Sequence, residues 1–228
     1  MLEDPPLLRI KRPSRRPNAT QIAAFQGIPS AVVSDCLYGL GALDLSIKPL
    51  STDMQAAGPA LTVDCRPGDL LPLLGALNFI SGGDIVTSAF QGYQGCAQAG
   101  DRVCGMMKNC GAAAFVTDGP MRDVTGVFDV GLPAWCTGLT PASPVAMGPG
   151  RVGHAIQLGG QNIETGDMIV ADRDGVTVVP FDQIDDVIAM IPRVMTLEKS
   201  LDDDVRNGLT VPHDILQLLD SDKTVFDT

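Results

Sequence analysis

Three side chains suited to binding an ion and stabilising developing charge fall in the stretch from Gln91 to Gly126. They are Asp101 and, after twenty intervening residues, the adjacent pair Arg122 and Asp123. Asp101 follows a glycine and opens a pattern in which Val103, Met106, Met107 and Cys110 recur at helical spacing before Gly111, a residue suited to ending a helix. A helix that starts at Asp101 leaves the N–H groups near Arg102 and Val103 without intrahelical partners at the positive end of the dipole, a setting for a small carboxylate. Ala112 to Thr117 reads as a short buried strand and Asp118-Gly119-Pro120 as the turn leaving it, which carries Arg122 and Asp123 to the carboxyl end of that strand. If the helix packs back on the strand that follows it, Asp101 approaches the pair. On a turn the two adjacent side chains can share a direction, Asp123 towards a metal and Arg122 towards a substrate. The pattern also admits a plainer reading, in which Asp101 only caps a helix and Arg122-Asp123 is a solvated turn.

The elements that must position these residues follow from periodicity and turn chemistry. Thr20 reads as the cap of a short helix running through Gln26, and Ser30 as the cap of another that turns Val32, Val33, Cys36 and Leu37 inward. Pro59 to Cys65 reads as a strand, Pro67 to about Phe79 as a helix, and Ile85 to Phe90 as a strand whose end delivers Gln91-Gly92-Tyr93-Gln94-Gly95. The glycines there either let the backbone approach a ligand or only make a tight connection. Ala134 to Thr137 reads as a strand. The glycine pattern Gly148 to Gly153 resembles a dinucleotide fingerprint, but a loop precedes it, the apparent strand His154 to Leu158 follows it and Pro149 sits inside it, so it is rejected. Asn162 to Pro180 reads as strands joined by the hairpin signal at Asp172 to Gly175, with Asp167 and Asp172 as turn residues. From Asp182 an amphipathic helix begins, which Pro192 is expected to kink or break; Leu216 and Leu219 mark a last short helix. Glu198 and Asp202 to Asp204 read as a solvated acidic face. Strands interleaved with helices, then a late hairpin, indicate an α/β domain without a regular doubly wound repeat.

Composition narrows the function classes. The 228 residues, 45% apolar and 19% charged, fit one globular domain, here residues 19–228, preceded by a Pro- and Arg-rich arm over residues 1–18. A net charge of −11 argues against general nucleic-acid binding, because an acidic surface repels phosphates. The arm holds Arg9, Lys11, Arg12, Arg15 and Arg16, five of the sixteen basic residues; it reads as extended or mobile and suited to binding a partner, with no apolar core of a secretory signal. No run reaches the length of a membrane span, and the protein is expected in the cytoplasm. The six cysteines are scattered, with no Cys-x-x-Cys, and read as free thiols; His154 and His213 read as structural.

Asp101, twenty residues, then Arg122-Asp123, in a frame of Gly100-Asp101, Val116-Thr117-Asp118-Gly119 and Gly131-Leu132-Pro133, resembles the RraA-like family, which includes the 4-hydroxy-4-methyl-2-oxoglutarate and 4-carboxy-4-hydroxy-2-oxoadipate aldolases. The resemblance runs from about Thr20 to Pro180 and takes in Val33 to Leu37, Ala57 to Val63, Gly83 to Val86 and Gly166 to Val176. It implies a single β/β/α, swivelling-domain-like fold, assembled as trimers or hexamers with active sites at subunit interfaces. It also implies a divalent-metal-dependent pyruvate aldolase that cleaves a 4-hydroxy-2-oxo acid and can decarboxylate oxaloacetate. Asp123 would then anchor Mg²⁺ or Mn²⁺, with Glu198 of the partner subunit acting through water. Gly100, Arg102, Val103 and Arg122 would bind the substrate, Arg122 would stabilise the enolate, and Asp101 would orient the water that moves the proton. The family also resembles a non-enzymatic regulator that inhibits a ribonuclease by binding it, and the basic arm suits that alternative.

Overall fold

The computed structural model describes residues 6–227. In chain order the elements are β1 (Leu8–Ile10), α1 (Ala19–Ala24), α2 (Ser30–Cys36), β2 (Lys48–Pro49), β3 (Ala56–Asp64), α3 (Leu71–Ala76), β4 (Ile85–Ala89), α4 (Asp101–Asn109), β5 (Ala114–Thr117) and α5 (Val124–Val130). There follow β6 (Ala134–Cys136), β7 (Gly150–Val152), β8 (Ile156–Leu158), β9 (Gln161–Ile163), β10 (Met168–Ala171), β11 (Val176–Val179), α6 (Ile184–Arg206) and α7 (His213–Leu219). The main sheet has the order β1-β7-β3-β4-β5-β6-β2. β3, β4, β5 and β6 run parallel, and every residue of β4 and β5 is buried, as expected of strands covered on both faces. β3 is long enough to serve two neighbours along one edge: Ala56 to Pro59 pair with β10 of the β10–β11 hairpin, while Val63 and Asp64 pair with β7.

α3, α4 and α5 cover one face of the parallel strands around Leu61, Phe90, Phe115 and Met121. The other face packs on the β8–β9 hairpin and β11, with Trp135 at the centre donating from Nε1 to the Asp172 carbonyl at 2.8 Å. α1, α2 and the first turns of α6 form a third cluster on the β10–β11 hairpin. The fold is thus the α/β, β/β/α arrangement expected, with parallel strands whose carboxyl ends all point towards one rim.

Several boundaries differ from the sequence reading. Asn18, not Thr20, caps α1, its Oδ1 accepting the Gln21 N–H at 2.9 Å while Gln21 Oε1 accepts the Asn18 N–H at 2.9 Å. α3 starts at Leu71 rather than Pro67, because Asp69 turns the chain first and accepts the Leu71 N–H at 2.8 Å. α5 has no counterpart in the sequence reading. α6 runs unbroken through Pro192, which lies on the exposed face, so that its ring displaces no buried side chain. The glycines of Gly148 to Gly153 serve packing: a Cβ on Gly150 would lie 2.7 Å from the Asp64 carbonyl oxygen, and one on Gly153 would strike the Lys11 backbone.

The described part of the arm, from Pro6 onward, lies along its own domain. β1 pairs with β7, Leu8 opposite Gly150 and Ile10 opposite Val152. Arg15 reaches Asp167 at 2.9 Å and Glu164 at 3.1 Å and stacks on Phe181, while Arg16 pairs with Asp84. Burial holds the Asp84 carboxyl above its ordinary 3.8, with the Ser81 N–H and Arg16 pulling the other way. Arg16→Ala should therefore lower the urea midpoint at neutral pH, at the low end of about 1–3 kcal/mol because the guanidinium is partly exposed. The difference from the unaltered protein should shrink as the pH falls through the raised Asp84 value and the neutral carboxyl no longer needs a cation. A pH-independent difference would exclude that pairing.

Candidate active site

Two loops at the carboxyl rim build the site. The β4–α4 loop ends at Gly100, the cap of α4, so that Asp101 is the first helical residue. The β5–α5 loop carries Asp118 to Asp123, and Asp123 caps α5 with φ +54° and ψ 42°, in the left-handed region. The loops run side by side as a small ladder: Gln98 N–H donates to the Pro120 carbonyl at 2.8 Å and Arg122 N–H to the Ala99 carbonyl at 3.1 Å. Beneath them lies a buried polar knot. Gln98, fully buried, donates from Nε2 to Ser88 Oγ at 2.6 Å and accepts from Thr117 Oγ1, tying the loop to β4 and β5. The Asp118 carboxylate accepts the Phe90 N–H at 2.5 Å and the Gly92 N–H at 2.8 Å, and burial pushes its pKa up against those two donors.

This framework brings the sequence-predicted residues together. A Cβ on Gly100 would lie 2.7 Å from Asp123 Oδ2 and 3.0 Å from Arg122 Cγ; one on Gly126 would lie 2.7 Å from Asp101 Cβ and 2.8 Å from its Oδ2. Arg122 Nε is 3.0 Å from Asp123 Oδ2, and its Nη1 meets Ser143 Oγ. Asp101 Oδ1 accepts the Arg102 N–H at 2.7 Å, so that N–H, expected to meet a substrate carboxylate, is engaged by its own neighbour. Gly100, Asp101, Arg102, Val103, Arg122 and Asp123 all line one pocket of about 120 Å³, with Leu70 and Pro144 among its apolar walls. Glu198 is not part of it: it lies exposed on α6, close enough to Cys36 of α2 for its charge to raise that thiol, which burial raises first.

Sequence reasoning missed Gln98 and Ser143. Gln98 stands between two alanines, the one polar residue of Cys96 to Gly100 apart from the thiol, and that is a faint signal for a buried hydrogen-bonding knot.

The donor set also limits the chemistry. Among the described residues no three or more His, Cys, Asp or Glu side chains gather to hold a metal, which does not suit a closed zinc site. Mg²⁺ and Mn²⁺ accept one or two carboxylates and take water and substrate oxygens for the rest, and a site with Asp123 as its carboxylate donor suits an ion of that kind. Cysteine chemistry is disfavoured: Cys104, one turn below Asp101, is pushed up to about 12, by burial first and by the Asp101 charge second. His154 and His213 do not line the pocket.

The RraA-like family model, described as Aldolase/RraA, matches residues 30–178. A Halalkalibacterium halodurans protein named "Putative 4-hydroxy-4-methyl-2-oxoglutarate aldolase" is 40% identical over 185 residues, covering 81% of this chain and 86% of that one. Among solved structures, Streptomyces coelicolor RraAS2, described as an unusual member of the RNase ES inhibitor RraA protein family, is 26% identical with a TM-score of 0.72, over 83% of this chain and all of that one. An uncharacterized protein from Pseudomonas syringae pv. tomato superposes with a TM-score of 0.74 at 21% identity, over 86% of this chain and 96% of that one, a likeness of fold.

The left-handed backbone at Asp123 yields a test that needs no substrate. An L-residue there is strained where glycine is not, so Asp123→Gly should be more stable than Asp123→Ala by about 1 kcal/mol in urea denaturation. Equal stabilities would mean that residue 123 leaves this conformation when its carboxylate is removed.

Proposed function

The chain belongs to the RraA-like family, and from that membership and the Asp101–Arg122–Asp123 pocket we propose that it is a divalent-metal-dependent lyase. Its substrate would be a 4-hydroxy-2-oxo acid such as 4-hydroxy-4-methyl-2-oxoglutarate, cleaved between C3 and C4 to pyruvate and a second oxo acid. The observation that carries the reading is the convergence of Arg122 with the carboxylates of Asp101 and Asp123 in a pocket sized for a small acid. Asp123 would hold Mg²⁺ or Mn²⁺, which when bound polarises the 2-oxo group as a Lewis acid.

The remaining roles follow from side-chain chemistry. Arg122 has its guanidinium braced by Asp123 and Ser143, and in this reading the fork would face the oxygen that gains negative charge as the C3–C4 bond breaks. The start of α4 at Gly100, Arg102 and Val103 supplies a positive dipole end for the substrate carboxylate. With Oδ1 occupied by the Arg102 N–H, Asp101 has Oδ2 left to orient a water that takes the proton from the C4 hydroxyl and returns it to C3. Loss of CO₂ from oxaloacetate leaves the same pyruvate enolate, so the site would also support that decarboxylation.

A homo-oligomer, trimer or hexamer, is part of the proposal. Leu197, Leu201 and Val205 recur every fourth residue along the outer half of α6, and each is more than half exposed. In such an assembly Glu198 of the partner subunit would approach the site. The cytoplasm remains the proposed location; among the described residues no helix is long and apolar enough to cross a membrane. The likeness to RraAS2 supports a second reading, a regulator that binds a protein partner. Against it, the described part of the basic arm, which suited that role, is engaged with its own sheet.

Pyruvate release from 4-hydroxy-4-methyl-2-oxoglutarate and from oxaloacetate, measured with Mg²⁺ and with EDTA, tests the lyase. Activity should require the metal, vanish in Asp123→Ala and fall by about 10²–10³ in Arg122→Ala. A folded protein that releases pyruvate from neither compound would sink this assignment. Leu201→Asp should shift the sedimentation coefficient from that of a trimer or hexamer towards that of a monomer, whereas an unchanged value would place the contact elsewhere.

A further inference from the structure

A second cavity, of about 220 Å³, opens where the carboxyl ends of β3 and β4 meet the arm. Arg9, Arg66 and Arg151 line it with the single carboxylate Asp64. Asp64 is taken by Arg151, through Nε at 2.7 Å and Nη2 at 2.5 Å. Arg9 and Arg66 have no carboxylate partner among the described residues. Three guanidinium charges less one carboxylate leave a cavity of charge +2 on a chain of net charge −11.

The strand register makes this cluster costly by itself. Arg9 of β1 stands directly opposite Arg151 of β7, and like charges placed opposite each other on neighbouring strands repel. The cations also act together on their surroundings: His154, just past β7, is pushed down by burial first and then by Arg151, Lys11 and Arg9. An anion between the guanidinium groups would turn this repulsion into attraction.

We propose that the cavity is a binding site for a small dianion, a phosphate or a dicarboxylate, held between Arg9 and Arg151 of adjacent strands and capped by Arg66. Planar guanidinium forks match the oxygens of both groups. The volume lies below the roughly 300–1,000 Å³ of sites for larger ligands, which limits the occupant to a compound of a few heavy atoms. The occupant is not the reacting molecule, since neither Arg122 nor Asp123 lines this cavity. The two cavities nevertheless share loops: the β3–α3 loop offers Arg66 to one and Leu70 to the other, and the β4–α4 loop offers Gln91 to one and Gly100 to the other. Occupancy would therefore brace the loops that shape the Asp101 pocket.

The test uses the full chain carrying Arg122→Ala, which removes the guanidinium that the lyase reading assigns to the substrate; Arg9 and Arg66 do not line the Asp101 pocket, so substitutions there report on the second cavity independently of that reading. Calorimetric titration at low ionic strength, with inorganic phosphate and separately with succinate, should show one saturable site per chain for at least one probe. The tighter probe identifies the ligand as phosphoryl or dicarboxylate. Adding Arg66→Ala, or Arg9→Ala, should weaken binding about tenfold, the loss of one charge-assisted contact. Both side chains are exposed, so thermal unfolding should confirm that neither change perturbs the fold. No saturable binding of either probe, or binding that neither substitution weakens, would overturn the proposal.

Discussion

The site rests on two positions where no side chain fits. At Gly100 the space that a Cβ would take belongs to Asp123 Oδ2, and at Gly126 it belongs to Asp101. The starts of α4 and α5 are thereby interlocked, each helix giving up a side chain to the carboxylate of the other. Everything else at the rim supports that contact: the Gln98 knot fixes the loop below it, Asp118 clasps the loop before it, and the ladder between Ala99 and Arg122 keeps the two segments in step. Close contact between loops is destabilising where it forces polar groups to desolvate, but here each buried side chain of the knot has a partner, and the described residues leave no buried side-chain polar atom unsatisfied.

What the sequence revealed was local. Gly100-Asp101 before a helical run, and Asp118-Gly119-Pro120 after a buried apolar run, are signals carried by neighbouring residues, and both elements lie where those signals put them. The convergence of Asp101 with Arg122 and Asp123 was legible as a geometric option, since a helix returning along the next strand brings its start to that strand's end. α5 was not legible, because Val124-Thr125-Gly126-Val127 combines β-branched residues with glycine, a poor helix former by propensity. Its glycine is there to admit Asp101, and tertiary contact overrides local preference. Pro192 misled in the opposite direction. Its effect depends on whether the ring falls on the packed or the exposed side of the helix, which a sequence does not state.

Charge shows the same dependence on long-range partners. In the sequence the basic arm stands out against an acidic chain and invites the idea of an external partner. In the fold Arg15 and Arg16 are directed at Asp167 and Asp84, two buried carboxyls far along the chain, while Arg9 stays beside Arg66 and Arg151 in the cavity at β7. The arm thus contributes both a clamp and a patch of positive potential, and composition alone could not separate the two.

The pairing of β1 with β7 sets an order of events during synthesis. β1 leaves the ribosome early, yet its hydrogen-bonding partners begin at Gly150, well over half the chain later. At roughly 5–20 residues per second, the nascent arm waits on the order of ten seconds before β7 exists. In that interval Leu8 and Ile10 have no strand to join, and the parallel strands β3, β4 and β5 assemble with one flank open. The arm can thread against the glycines of β7 only once the rest of the sheet stands. A strand made before every other strand of its sheet is therefore among the last to join it.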